Sequence, residues 1–262
     1  MSQTRGPVKS ADRALAAVDL VARLGSATFA DIAEALALPR SSAHGLLATL
    51  VDAGWLEIGH EQQPARYRLG LHVWQIAQRY DGHRLLLETA KPHMDRLVQR
   101  TGETVQLARL DGVENVYIGI ALSPNPMRMA SSVGMRLHAH ATGIGKALLS
   151  VIDEDDARAR LDAVVLPQLT PRTVTDVPGI MRILARAREV GFAIDDEEFI
   201  EGCRCVAVPL TTERETGIAS AMSITMPSTR TDAAWPHSLY APLREAAQAI
   251  REEMGIPGSL SP

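Results

Sequence analysis

LPRSSAHGLLATLVDAGW, residues 38–55, reads as a helix that starts near Arg40 and is closed by Gly54. Ala43, Leu46 and Leu50 give it an apolar interior side. Its outward positions are Ser41, Ser42, His44, Gly45 and Ala48, where a solvated helix would carry Glu and Lys. A face that is small, weakly polar and led by Arg40 suits entry into the major groove of duplex DNA. There bulk and negative charge are penalised, and hydroxyl, imidazole and guanidinium groups can reach base edges. Arg40, Ser41, Ser42 and His44 are therefore candidate DNA contacts.

The neighbours agree. Upstream, a helix runs through RALAAVDLVARL, with Ser10 as its expected N-cap, Leu15, Val18 and Leu24 on its apolar face, and Gly25 as its end. Thr28, with Asp31 three residues on, reads as a capping-box start for the short helix FADIAEALA. Ile32, Leu36 and Leu38 extend the interior. Downstream, Trp55–Ile58 and Arg66–Leu69 are strand-like runs around a polar tip, a hairpin on which Arg66 and Arg68 can clamp the DNA backbone. Helix, helix, tight turn, helix, hairpin is the order of a winged helix-turn-helix. A plain three-helix element is the competing reading, and the hairpin and bare helix face count against it.

From residue 71 the pattern stays helical, and His83–Arg100 reads as a long helix mildly interrupted at Pro92, either a connector or a dimerisation element. After Gly102 the period changes. Thr104–Leu110 and Asn115–Leu122 flank the turn DGVE, HAHATGIGKALLS passes from loop into helix, and two further helices follow. CRCVAVPLT and GIASAMSITMP are apolar strand runs, and a terminal helix closes the chain. This predicts an α+β class: residues 1–70 a winged helix-turn-helix, 71–101 linker helices, and 102–262 a sensor domain on an antiparallel sheet.

The bulk numbers set limits. With 262 residues, 46% hydrophobic and 22% charged, the chain has a globular composition. No apolar run is long enough to span a membrane. The start MSQTRGPVKSADR has no apolar signal core, which points to the cytoplasm. The net charge of -4 does not advertise a nucleic-acid partner, and the +1 of residues 1–80 is only a mild asymmetry. Cys203 and Cys205 read as reduced thiols, too close for a relaxed disulfide.

Taken in order, VKSADRALAAVDLVARL, FADIAEALALPRSSAHGLLATLVDAGWLE, YRLG, LHAHATGIGKALLS and GFAIDDEEFIEGCRCVAVPL resemble an IclR-type transcriptional regulator over almost the whole length. The resemblance implies a GAF-like C-terminal domain that binds a small metabolite, a dimer or dimer of dimers on operator DNA, and repression as the default. It also implies a polar effector lining at Asp195, Cys205, Ser223 and Thr225. The sequence departs from the family at Gly45, where an arginine is frequent. Cys203 is extra, and SITMP stands where a Ser-x-Ser pattern is usual.

Residues 138–225 offer three chemistries. The glycines before Lys146 lack the Walker spacing, so a nucleotide is not expected; the same helix start can present the backbone N–H groups of Ala141, Thr142 and Gly143 to a carboxylate. His138, His140, the two cysteines and Asp195–Glu198 do not have strong metal spacing, and no metal or other cofactor is expected. Met129, Val133, Met135 and Leu137 could wall an apolar pocket. The expected function is a ligand-responsive DNA-binding regulator of a catabolic operon, not an enzyme. The alternative is a GAF-type sensor or thiol redox enzyme, with Cys205 as nucleophile, that carries an N-terminal helical domain.

Overall fold

The computed structural model describes residues 8–59, 64–79 and 83–258. It divides into two compact units at residue 83. The first contains α1 (Lys9–Leu24), β1 (Ala27–Thr28), α2 (Phe29–Ala35), α3 (Arg40–Asp52), β2 (Leu56–Gly59), β3 (Arg66–Leu69) and α4 (Leu71–Ala77). The three strands form one antiparallel sheet in the order β1-β3-β2. Part of the hairpin tip, residues 60–63, lies outside the described residues.

The capping box at α2 forms as expected: Thr28 Oγ1 accepts from Asp31 N at 3.2 Å, and Thr28 N donates to Asp31 at 2.8 Å. The cap expected at Ser10 does not form. The helix begins two residues earlier, behind Val8, with no side-chain cap, and Ser10 lies in its first turn. The buried stripe of α1 is Ala17, Leu20 and Val21, while Leu15 and Leu24 face outward. The apolar run of α1 is wide enough to allow two stripes, and packing against Ile32, Leu47 and Leu56 selects one. In α3 the fully buried leucine is Leu47, which the sequence reading had passed over; Leu36 and Leu46 pack at the margin of the core.

The second unit contains α5 (Arg84–Thr101), β4 (Thr104–Asp111), β5 (Glu114–Ala121), β6 (Arg136–His138), α6 (Gly143–Ser150), α7 (Glu154–Asp162), α8 (Val177–Val190), β7 (Ala193–Asp196), β8 (Cys203–Thr211), α9 (Glu213–Thr216), β9 (Ser220–Pro227) and α10 (His237–Glu253). Its six strands form one antiparallel sheet, β6-β5-β4-β9-β8-β7. The stretch expected as a linker, 71–101, divides. α4 stays with the first unit, and α5 is part of the second, where Leu86, Ala90, Met94 and Leu97 are buried against the sheet. A helix with that much apolar surface is more stable packed than spanning.

Alternation with period two gives the sheet two different faces. On one, Val105, Leu107, Val206, Val208, Met222 and Ile224 pack against α5 and α10. On the other, Ala108, Ala221 and Ala207 pack under α6 and α8, and further along the same strands the residues become polar: Thr104 and Gln106, Ser223 and Thr225, Cys205, and Asp195. That polar end of an otherwise apolar face positions the second candidate site.

Candidate functional site

The first candidate surface is α3. Arg40, Ser41, Ser42, His44, Gly45 and Ala48 are all exposed, on the side away from Ala43, Leu47 and Leu50. Its N-cap is Pro39, without a side-chain cap, and its first turn holds no acid. The N–H groups of Arg40, Ser41 and Ser42 thus stay open, with the positive end of the helix dipole behind them. His44 sits 6.4 Å from the Phe29 ring, which limits its swing. On the wing, Arg68 is exposed. Arg66 is only partly so: its Nε donates to Ser26 Oγ at 3.0 Å and anchors the hairpin to the α1–β1 turn. Gly70 is required where the hairpin leaves the wing, because a Cβ there would lie 2.1 Å from Gly54 O.

The second surface is internal. The β-sheet register aligns Thr104, Thr225, Cys205 and Asp195 in one row across four strands, with Gln106 and Ser223 in the next row on the same face. Ser223 Oγ and Thr225 Oγ1 both donate to Gln106 Oε1, at 3.1 and 3.0 Å, so the two hydroxyls do share a strand face. The start of α6 lands on this row. A Cβ on Gly143 would approach Cys205 Sγ to 3.0 Å and Asp195 N to 3.1 Å, so only glycine lets the helix end come this close. Thr142 caps the helix by accepting from Gly145 N, and donates to Asn115 Oδ1 at 2.7 Å. The open N–H groups are those of Gly143 and Ile144, which have no partner among the described residues. Ala141 N is not open as expected; it donates to His138 O.

Every polar member of this cluster is nearly sealed from water. Burial pushes the Asp195 carboxyl up to about 7, against the pull of the Lys146 ammonium and of the N–H donors of Glu198 and Phe199. Burial likewise pushes the Cys203 and Cys205 thiols up to about 12. A nucleophilic cysteine needs its thiolate at neutral pH, so these thiols are unsuited to redox or acyl chemistry. Leu137 is buried, and Met129 and Met135 pack on the adjoining core, but Val133 is 65% exposed and forms no part of the wall; it lies in the turn before β6, where nothing covers it. The His138 and His140 rings lie 5.8 Å apart, tilted at 53° to each other, and His140 Nε2 donates to Pro167 O.

Four residues were missed as site members. Gln106 and Asn115 each bury an amide nitrogen that has no partner among the described residues. Lys146 is only 1% exposed and donates to Glu198 Oε1 at 2.5 Å, leaving Glu198 Oε2 unpaired. By glycine spacing alone Lys146 reads only as a phosphate-loop lysine. The signal that could have found it is a lysine inside the apolar run GIGKALL, where a charge must be paired.

Known proteins bear on both surfaces. Residues 10–58 match the model of the IclR helix-turn-helix domain, and residues 78–252 match that of the bacterial transcriptional regulator IclR C-terminal domain. The chain is 33% identical to the HTH-type transcriptional regulator XynR of Escherichia coli over 95% of its length and 98% of that protein's. It is 34% identical to the HTH-type transcriptional repressor AllR of Escherichia coli, covering 90% of the chain and 86% of the relative. Among solved structures, an IclR homolog from Microbacterium hydrocarbonoxydans complexed with 4-hydroxybenzoate superposes with a TM-score of 0.77 at 29% identity, covering 93% of this chain and all of that one.

Proposed function

The chain belongs to the IclR family of DNA-binding transcriptional regulators, and on that footing we propose that it is a repressor whose hold on a double-stranded operator is set by a small carboxylate-bearing metabolite. Its role is regulation and not catalysis. Residues 1–70 read DNA: Arg40, Ser41, Ser42 and His44 meet base edges or nearby phosphates, and Arg68, with Arg66 in support, holds the backbone. Residues 102–262 bind the effector in the sealed polar cluster. AllR is named a repressor, and repression is the default taken from it.

One observation carries the effector assignment. Gln106 Nε2 and Asn115 Nδ2 are buried donors without partners among the described residues; Asn115 accepts from Thr142, the N-cap of α6, and Gln106 lies one row from Cys205 and Asp195, on which the α6 start with its two open N–H groups lands. Buried polar groups are normally satisfied. Unsatisfied donors lining one polar face under a helix start call for a ligand rich in acceptor oxygens, and the helix end favours an anion. A carboxylate on Gly143 and Ile144, with a second oxygen toward Gln106, Ser223 and Thr225, satisfies them. Asp195 accepts from two backbone N–H groups and, with its raised pKa, stands largely neutral beside that anion below pH 7. Leu137, Met129 and Met135 supply an apolar side, which suits an aromatic or branched acid better than a two-carbon one. An organic acid is also what the Microbacterium homolog holds.

The assembly is a dimer through the N-terminal unit and tetrameric through the C-terminal units, acting in the cytoplasm, where the chromosome lies. Leu71 and Trp74 of α4, and Leu15 and Leu24 of α1, are exposed apolar residues that support an interface. The test is calorimetry of wild type and Ser223→Ala over a panel of organic acids, with gel shift of operator DNA beside it. The acid that releases DNA should bind Ser223→Ala more weakly, because a regulator's ligand must discriminate between the DNA-bound and free states through this pocket. Equal binding to both proteins would place the effector elsewhere.

A further inference from the structure

One hydroxyl on the effector face has no partner. Tyr117, on β5, is buried, with 3% of its surface exposed. Its Oη makes no hydrogen bond among the described residues. A buried tyrosine normally pairs its hydroxyl, and phenylalanine would serve packing alone. The Tyr117 ring belongs to the core under α6, with Leu137 and Ile144. The groups whose charge bears on its oxygen are Cys205, Cys203 and Asp195, so the hydroxyl points toward the polar end of the face. Burial first, and then those three groups, push its pKa up. It stays a neutral hydroxyl that can both donate and accept.

A β-bulge aims it there. Gln106 stands opposite Ile120, Leu107 opposite Gly119, and then Ala108 opposite Tyr117, so Ile118 is an extra residue in β5. Ile118 and Gly119 both lie on the α5 side, where a Cβ on Gly119 would come within 3.1 Å of Leu87 Cδ2. Without the extra residue, strict alternation from Ile120 would put Ile118 on the effector face and turn Tyr117 toward α5. Across the sheet the neighbours of Tyr117 are Ala108 and Ala221, small enough that the ring has room to lie over the strands. The charged members of the cluster are Asp195, Lys146 and Glu198, and the lysine is already paired with Glu198. Among its described residues the cluster therefore has no unpaired cation to hold a second carboxylate.

Resting on the effector assignment above, we propose that Tyr117 is the specificity-determining residue of this site. Its hydroxyl hydrogen-bonds an uncharged oxygen group on the effector, at the end away from the carboxylate held by Gly143 and Ile144. The site then selects a monocarboxylate with a neutral polar tail. The plain acid leaves the Tyr117 hydroxyl unpaired, and a diacid must bury a second charge without a counter-ion. A buried hydroxyl that must find its partner discriminates more sharply than apolar walls do, because the wrong ligand leaves it unsatisfied.

The probes are pentanoate, 5-hydroxypentanoate and glutarate, titrated calorimetrically into the full chain. Hexanoate, 6-hydroxyhexanoate and adipate form a second set that allows for the span of the site. In at least one set the hydroxy acid should bind wild type about tenfold tighter than the plain acid and the diacid. In Tyr117→Phe the ratio of hydroxy-acid to plain-acid affinity should fall to about one. A tyrosine kept only for packing would weaken all three acids alike and leave the ratio where it was. Because the hydroxyl is unpaired without ligand, ligand-free Tyr117→Phe should melt at the wild-type temperature or above it. Ser223→Ala should weaken every acid together. The proposal is overturned if wild type binds none of the acids, if it shows no preference for the hydroxy acid in either set, or if Tyr117→Phe keeps that preference. A lower melting temperature for Tyr117→Phe also overturns it, since the hydroxyl would then be holding the fold. If Ser223→Ala binds every acid as wild type does, the effector assignment itself fails and this proposal with it; if Ser223→Ala weakens them and Tyr117→Phe keeps the preference, only the role of Tyr117 falls.

Discussion

The two working surfaces of this regulator are built in opposite ways. The DNA-reading face is a single helix, six outward positions within nine residues of sequence, exposed and held in place by what lies behind it. The effector cluster draws one to three residues from each of β4, β5, β7, β8 and β9 and the start of α6, spans residues 104 to 225, and is nearly sealed. A contiguous exposed face can lose a side chain and keep its shape. A buried face assembled from distant segments has structure and chemistry in the same atoms, so most changes to it register first as changes in stability.

The largest test of that contrast is a pair of glycines. A Cβ on Gly145, in the first turn of α6, would lie 2.2 Å from Ala139 Cα and 2.4 Å from Ala139 O. Gly45, on the reading helix, has nothing within 4 Å of such a Cβ. Gly145→Ala should displace the α6 start and unfold or disorder the effector unit. Gly45→Ala should add about 1 kcal/mol of helix stability. Denaturant unfolding of both variants checks the sign and the ratio; similar small effects would break the comparison.

Next in size is Lys146→Met. Removing one partner of a buried ion pair leaves the other charge unpaired and costs about 3–5 kcal/mol. Arg136→Met loses pairs to Asp111 and Glu114 that are roughly half exposed, and should cost about 1 kcal/mol or less. Unfolding midpoints of the two variants measure the difference.

On the DNA face, Arg40→Ala and His44→Ala should leave unfolding almost unchanged. A lost base-edge contact should cost about 1–3 kcal/mol of operator binding and relax specificity at one position. Arg68→Ala should weaken all sequences alike and flatten the salt dependence. Arg66→Ala should also destabilise the first unit, because Arg66 ties Ser26 to the wing. Gel-shift titrations at two salt concentrations, beside melting curves, separate these cases.

Legibility in the sequence follows the same division. The reading helix, its capping box and the hairpin come straight from local pattern, because α3 is amphipathic over consecutive turns and Thr28 and Asp31 are three residues apart. The strand runs were legible too, but the sheet order was not: nothing local says that β4 pairs with β9. Without that pairing Gln106 cannot be set beside Ser223 and Thr225. Asp195, Cys205, Ser223 and Thr225 were reached through family resemblance, and the register now puts them on one face. Val133 was misjudged because an apolar residue in a turn has no periodicity to show which way it faces. α5 looked like a linker because an amphipathic helix does not name the surface it packs on.

The smallest effect is the one that separates the two surfaces most cleanly. Burial holds Asp195 protonated up to about pH 7, above its ordinary value of 3.8. The groups facing it are Lys146 on α6, Glu198 just past β7, and Cys205 on β8, whose thiol is pushed up to about 12 and stays neutral in this range. A carboxyl whose folded pKa is raised favours the folded state in its protonated form. Its contribution is complete below the unfolded pKa near 3.8 and is lost as pH rises through about 7. Stability of the effector unit should therefore decline from pH 5 to pH 8 more steeply in wild type than in Asp195→Asn, which keeps the oxygen that accepts from Glu198 N. Above pH 7 an ionised Asp195 also places a negative charge beside the bound acid. Affinity for a carboxylate effector should then fall by up to about tenfold per pH unit, about 1.4 kcal/mol, softened by Lys146. Asp195→Asn should bind the acid with a flatter pH profile, while operator affinity measured without effector should keep the same pH profile in both proteins. Identical effector profiles for wild type and Asp195→Asn would mean that the ligand's charge never meets Asp195, and the carboxylate would have to be moved away from the α6 start.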